Sequence, residues 1–172
     1  EGYVAPSILE ISGAREVAVE FGSLSKTYNM AGWRVGMAVG NARAIEALAT
    51  VKTNVDSGIF RPVQDAAAAA LSGDQSWLAE RNRIYQRRRD IVLEWLPGAG
   101  LSAARPLGGL YVWARTPEGA DAEAWAIDAL ERTGVWLTPG TAFGAQGAGH
   151  LRISICVPEE RLREAGKRLS EH

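Results

Sequence analysis

Ser23-Leu24-Ser25-Lys26-Thr27-Tyr28-Asn29-Met30-Ala31-Gly32-Trp33-Arg34-Val35-Gly36 is the stretch on which the fold of this 172-residue chain turns. Just before it, Glu16 to Phe21 (EVAVEF) alternates and is rich in β-branched residues, which predicts a strand. The strand runs into a polar turn carrying Lys26, with Ser23 and Ser25 beside it. Arg34 follows eight positions later, near the start of a second predicted strand, Trp33 to Val39. A lysine amine held near other cations or in a dry pocket has its pKa lowered and becomes a usable nucleophile. Hydroxyls and a guanidinium converging on one point describe an anion site, because arginine offers a fork of donors matched to phosphate oxygens. A Ser-x-Ser-Lys turn alone reads more readily as a surface lysine on a loop.

Working outward, Gly40-Asn41 closes the second strand, and Asn41 is placed to cap a helix over 42–52. Residues 54–61 read as a loop. Pro62 suits the first turn of a helix running through the alanines 66–70, which the small side chains predict to be tightly packed and buried. Gly73-Asp74 breaks that helix, and a long amphipathic one covers 75–96 until Pro97-Gly98. Beyond it, strands are predicted at 110–114, 135–137 and 151–156. A helix is predicted at 122–132, and another opens at Pro158. This alternation suggests a small α+β domain from residue 91 onward, after a first domain over 1–90.

Composition excludes several classes. With 19 basic and 20 acidic residues, net charge is -1, so no electrostatic argument favours nucleic acid or an anionic membrane as partner. Arg81, Arg83, Arg87, Arg88 and Arg89 bunch together, as on the solvated face of a helix. The single cysteine, Cys156, excludes an internal disulfide, and its apolar surroundings predict a buried, inert thiol. Two histidines are too few for a His-rich metal site, and no metal is expected. No apolar run approaches the roughly 18 residues that span a bilayer, and Glu1-Gly2 is no signal peptide. A soluble, reducing, cytoplasmic setting is the expectation. Because residue 1 is not Met, a processed or truncated N-terminus is also considered.

A second informative segment is Pro139-Gly140-Thr141-Ala142-Phe143-Gly144, followed by Gly147-Ala148-Gly149-His150-Leu151-Arg152-Ile153-Ser154. On residues alone, Arg152 is a binding group, a rim residue or a member of a structural ion pair. His150 precedes it by two and should share its side of a strand, in a site or a packing role.

The first segment resembles the lysine signature of class I/II aminotransferases of the pyridoxal-phosphate (PLP) fold type I. The second is similar to the same family's PG-x-x-FG…G-x-G-x-x-R-[IL]-S. Arg105-Pro106-Leu107-Gly108-Gly109-Leu110-Tyr111-Val112-Trp113 is similar to its P-x-GG-x-[YF]-x-W segment. The resemblance implies an α/β fold: the C-terminal portion of fold type I, with a partial large-domain sheet and a small α+β C-terminal domain. It implies that Lys26 forms a Schiff base with PLP and then shuttles the proton at the substrate's α-carbon. Ser23, Ser25 and Arg34 would hold the phosphate, Gly32 and Gly36 would allow close backbone approach, and Arg152 would pair with the substrate's α-carboxylate. Expected partners are amino-acid and 2-oxo-acid substrates, with a homodimer in the full-length protein. The wording leans toward the branch resembling LL-diaminopimelate, succinyldiaminopimelate, alanine and aspartate aminotransferases.

The resemblance also implies that an aspartate at the pyridine nitrogen, a tyrosine and asparagine near the ring, and a glycine-rich phosphate turn lie before residue 1. Losing one such electrostatic partner typically costs about 3 kcal/mol or more, so residues 1–172 alone are expected to bind PLP weakly. Two other activities fit the same motifs: a C–S β-lyase, and the effector domain of a PLP-binding transcriptional regulator.

Overall fold

Residues 2–171 are described in a computed structural model, and their contacts divide them at Leu78/Ala79. The first unit runs from Val4 to Leu78; the second takes the chain from Ala79 onward, with Gly2 and Tyr3. The sequence places that division later, at 90/91. The difference arises inside the long helix α4 (Trp77–Trp95), most of which packs with the second unit: its Ile91 and Val92 enter that unit's core.

In the first unit, β1 (Val19–Ser23) pairs antiparallel with β2 (Gly36–Gly40), Ser23 opposite Gly36 and Val19 opposite Gly40. Between them lies a single helical turn, α1 (Leu24–Thr27). Both strands begin about three residues later than their alternation predicts. Residues Ala14–Glu16 form a 3-10 turn, and the Asn41 side-chain amide donates to the Glu16 carbonyl at 2.8 Å, drawing that segment out of the ladder. Residues Ala31–Trp33 form another 3-10 turn, and Arg34 takes a left-handed conformation (φ 52°) before β2 starts. Asn41 caps α2 (Ala42–Val55), its Oδ1 accepting from the Ala44 N–H at 2.9 Å. This helix runs past the predicted loop start, because an i,i+4 Lys52–Asp56 pair at 2.7 Å closes its last turn. Helix α3 (Arg61–Ser72) has Pro62 in its first turn as expected.

The alanine run is a correction. Only Ala67 of the five is buried; Ala68 and Ala69 are exposed. The run is helical because alanine loses no side-chain entropy in a helix, which needs no burial. The core of this unit is small: Leu24, Met30, Val35 and Ala67, with Tyr28, Val63, Ala66 and Ala70 against them.

In the second unit, strands β3 (Tyr111–Arg115), β4 (Thr138–Pro139) and β5 (His150–Ser154) form an antiparallel sheet of order β3-β5-β4. Helix α5 (Ala122–Thr133) and helix α6 (Glu159–Ser170) complete it. Val112, Ala114, Leu151 and Ile153 point from the sheet into a core shared with Ile91, Val92, Leu96, Leu162 and Leu169. The alternate residues Tyr111, Trp113, His150 and Arg152 occupy the other, open face.

Three expectations change here. The strand predicted at 135–137 is two residues long and later, because Pro139 has no N–H to extend the ladder. Cys156 is exposed rather than buried, since β5 ends at Ser154 and the chain turns toward α6. The arginine cluster is not wholly solvated. Arg89 is buried, donating to Asp90 at 2.8 Å and to the Pro106 carbonyl at 3.0 Å, and Arg105 also reaches Asp90 at 3.0 Å. Among the described residues no helix is long and apolar enough to cross a membrane.

Candidate active site

Lys26 sits in the single turn α1, at the end of β1. Ser23 is the residue that starts this turn: its Oγ accepts from the Ser25 N–H at 3.2 Å, which fixes the direction in which Ser25 and Lys26 leave the strand. Leu24 between them is 1% exposed and anchors the turn in the core, while Lys26 is exposed and Ser25 half-buried. These residues therefore do not enclose Lys26 in a dry pocket.

Arg34 is exposed, and its Nη1 donates to the Ala31 carbonyl at 2.9 Å. No ion pair holds it among the described residues. Its left-handed backbone costs about 1–2 kcal/mol for a residue with a Cβ, a strain that concentrates where a side chain must be aimed. Gly36 has a different reason from the one expected. A Cβ there would lie 2.8 Å from the Gly22 carbonyl, so the close approach is to β1 itself. Gly32 does have open space beside it.

Tyr28 and Asn29 of the same string are structural. The Tyr28 hydroxyl donates to Gln75 at 2.9 Å, its ring meets Trp77 edge-on at 6.0 Å, and Gln75 in turn donates to the Ala70 and Gly73 carbonyls. Asn29 supplies a left-handed residue (φ 54°) that turns the chain after α1.

In the second unit, Arg152 lies at the centre of β5, opposite Trp113 on one side and Thr138 on the other. Its guanidinium carbon is over the Tyr111 ring and over the Phe143 ring, 4.4 Å from each centroid. Phe143 is brought there by the 3-10 turn Gly140–Phe143. Gly140 and Gly147 hold that turn closed: a Cβ on either would collide with the backbone of the other. His150 shares the face of Arg152 as expected, stacked on Trp113 at 5.5 Å, with Nδ1 3.0 Å from the Ala148 carbonyl. Sequence reading missed the two rings around Arg152; the signal available was the aromatic at alternate positions of β3.

The model of "Aminotransferase class I and II" matches residues 3–169, almost the whole chain. The chain belongs to this family. Class I and II aminotransferases are PLP-dependent enzymes, and the mixed α/β architecture matches their fold type I. An LL-diaminopimelate aminotransferase of Desulforudis audaxviator is 50% identical over 98% of the chain. A probable N-succinyldiaminopimelate aminotransferase of Thermus thermophilus superposes with TM-score 0.92 at 40% identity, over 97% of the chain. An aromatic aminotransferase of Pyrococcus horikoshii gives TM-score 0.93 at 30% identity, over 99%. The chain spans less than half of these relatives, 43%, 45% and 47% of their respective lengths.

The residues at hand suit the aminotransferase cofactor in kind. Two serine hydroxyls and a guanidinium without an ion-pair partner among the described residues are donors that a phosphate accepts from, and a lysine amine is what an aldehyde bonds.

Proposed function

We propose that the protein carrying this chain is an aminotransferase that moves an amino group from an L-amino acid to a 2-oxo acid, with PLP bonded through Lys26. The observation that carries this reading is the Ser23–Lys26 turn at the end of β1, with its capping serine and exposed amine, in a chain of this family. When bound, PLP supplies an electron-withdrawing ring that stabilises the charge left on the substrate's α-carbon. Lys26 anchors the cofactor by its Nζ and afterwards uses the same nitrogen to take and return the α-carbon proton. Ser23, Ser25 and Arg34 bind the phosphate. Arg152 binds the α-carboxylate with its two-pronged guanidinium and so orients the Cα–H bond. Half-identity to an LL-diaminopimelate aminotransferase makes LL-diaminopimelate the first amino donor to test.

The whole protein is proposed to act as a homodimer. Sedimentation of the whole protein checks this.

To test the central proposal, the whole protein is stripped of cofactor, reloaded with PLP and reduced with borohydride. We expect a pyridoxyl mass on the peptide containing Lys26, and its loss in Lys26→Ala. Label on another lysine sinks the assignment. Incubation with cystathionine separates the reaction class: pyruvate and a thiol would mark a C–S β-lyase, whereas transfer to a 2-oxo acid marks the aminotransferase.

A further inference from the structure

Arg152 is held differently from the arginines of this chain that pair with carboxylates. Arg61, Arg83, Arg87 and Arg168 each pair with a carboxylate at 2.8–3.0 Å. Arg152 has no hydrogen-bond or ion-pair partner among the described residues; two ring faces hold it instead, Tyr111 and Phe143, each centroid 4.4 Å from the guanidinium carbon. A carboxylate or carbonyl partner would use up some of the five N–H donors of the guanidinium. A π face uses none.

We propose that Tyr111 and Phe143 form an aromatic clamp that positions Arg152 for carboxylate binding, so that both are positioning residues and determinants of carboxylate affinity. The proposal rests on the assignment of Arg152 to the substrate's α-carboxylate. The clamp keeps the cation half-buried, in place and still fully capable of donating, which reduces the ordering cost when a carboxylate arrives.

The sheet register builds the clamp. Arg152 is opposite Trp113, and Tyr111 is opposite Ser154, so Tyr111 is the diagonal neighbour of Arg152, within reach of a long ring. Phe143 arrives from the other side of β5, through the turn that follows β4. It is steadied in turn: Trp113 meets it edge-on at 5.9 Å, and His150 stacks on Trp113. Four aromatic or imidazole rings on the open face of the sheet are thus linked to one cation that has no ion pair among the described residues. Within this chain Tyr111 is 40%, Trp113 39% and Phe143 53% exposed.

The test titrates propionate, a carboxylate that cannot transaminate, into the PLP-loaded whole protein by calorimetry. Phe143 is replaced by mono-, di- and trifluorinated phenylalanine, which keep its shape while draining the charge from the ring face. We expect affinity to fall stepwise, by about fivefold at the end of the series. Tyr111→Phe, which retains a ring, should recover most of the affinity that Tyr111→Leu loses. With an amino-acid donor, the same variants should raise KM more than they lower kcat. An affinity indifferent to fluorination overturns the clamp. Arg152→Ala tells the two ideas apart: unchanged propionate binding in that variant overturns the carboxylate assignment itself, whereas loss there without loss in the ring variants removes only the clamp.

Discussion

A guanidinium lying over two ring faces keeps all its N–H donors for an incoming anion, and that is the chemical state of Arg152. Its geometry matters as much as its charge. Arg152→Lys retains the cation but loses the fork, so one charge-assisted hydrogen bond to the carboxylate disappears. We expect kcat/KM of the whole protein to fall at least about tenfold, the equivalent of ~1.5 kcal/mol. Steady-state kinetics with a single amino-acid donor measures it, and wild-type values in the lysine variant would contradict a two-pronged contact. Arg34 presents the same chemistry in a different setting. Its cation is aimed by a left-handed backbone and a bond to the Ala31 carbonyl rather than by rings.

Helix ends show how short side chains set the positions of longer ones. Asn41 satisfies the Ala44 N–H with its oxygen and the Glu16 carbonyl with its nitrogen, so one residue both starts α2 and fixes the approach to β1. Asn41→Ala should lower stability by about 1 kcal/mol, read from urea unfolding. Asp74 performs a related task before α4. It accepts from the Ser76 hydroxyl at 2.5 Å and from the Ser76 N–H at 2.9 Å, and these bonds hold its carboxyl below the usual range. A depressed folded-state pKa means that the stabilisation is complete above the ordinary aspartate pKa and is lost as pH falls through the lowered value. We expect NMR titration to place Asp74 below exposed carboxylates, and Ser76→Ala to bring it back up. An unchanged titration in Ser76→Ala would remove this account.

Within this chain, which spans under half of its relatives' length, the two units are unequal in core among the described residues. The first buries four apolar residues in its cluster, whereas the second buries fifteen, Val112, Leu151 and Val92 among them at 0% exposure. Since buried apolar area is the main favourable term, slow amide exchange should concentrate in β3, β5 and α4 beyond Ala79. The amides of β1 and β2 should exchange earlier. Equal protection in the two units would contradict this reading. Leu151→Ala should destabilise the second unit by about 2–5 kcal/mol, and denaturant unfolding followed by tryptophan fluorescence would register it.

What could be read from the chain alone was whatever depends on neighbours in sequence. The Lys26 string, the Asn41 cap and the Pro62 helix start are local, because caps and motif spacing act within a few residues. The family followed from those strings. Burial and pairing were not legible. The alanine run looked buried and is mostly exposed, Cys156 looked inert and faces solvent, and Arg89 of a seemingly solvated cluster is buried against Asp90 and Pro106. Each of these depends on which distant segment arrives at the residue, and helical or strand periodicity carries no record of that. The clamp on Arg152 belongs to the same kind. Tyr111 is far from Phe143 and Arg152 in the chain, and the register of β3 on β5 and the turn after β4 bring the three side chains within reach.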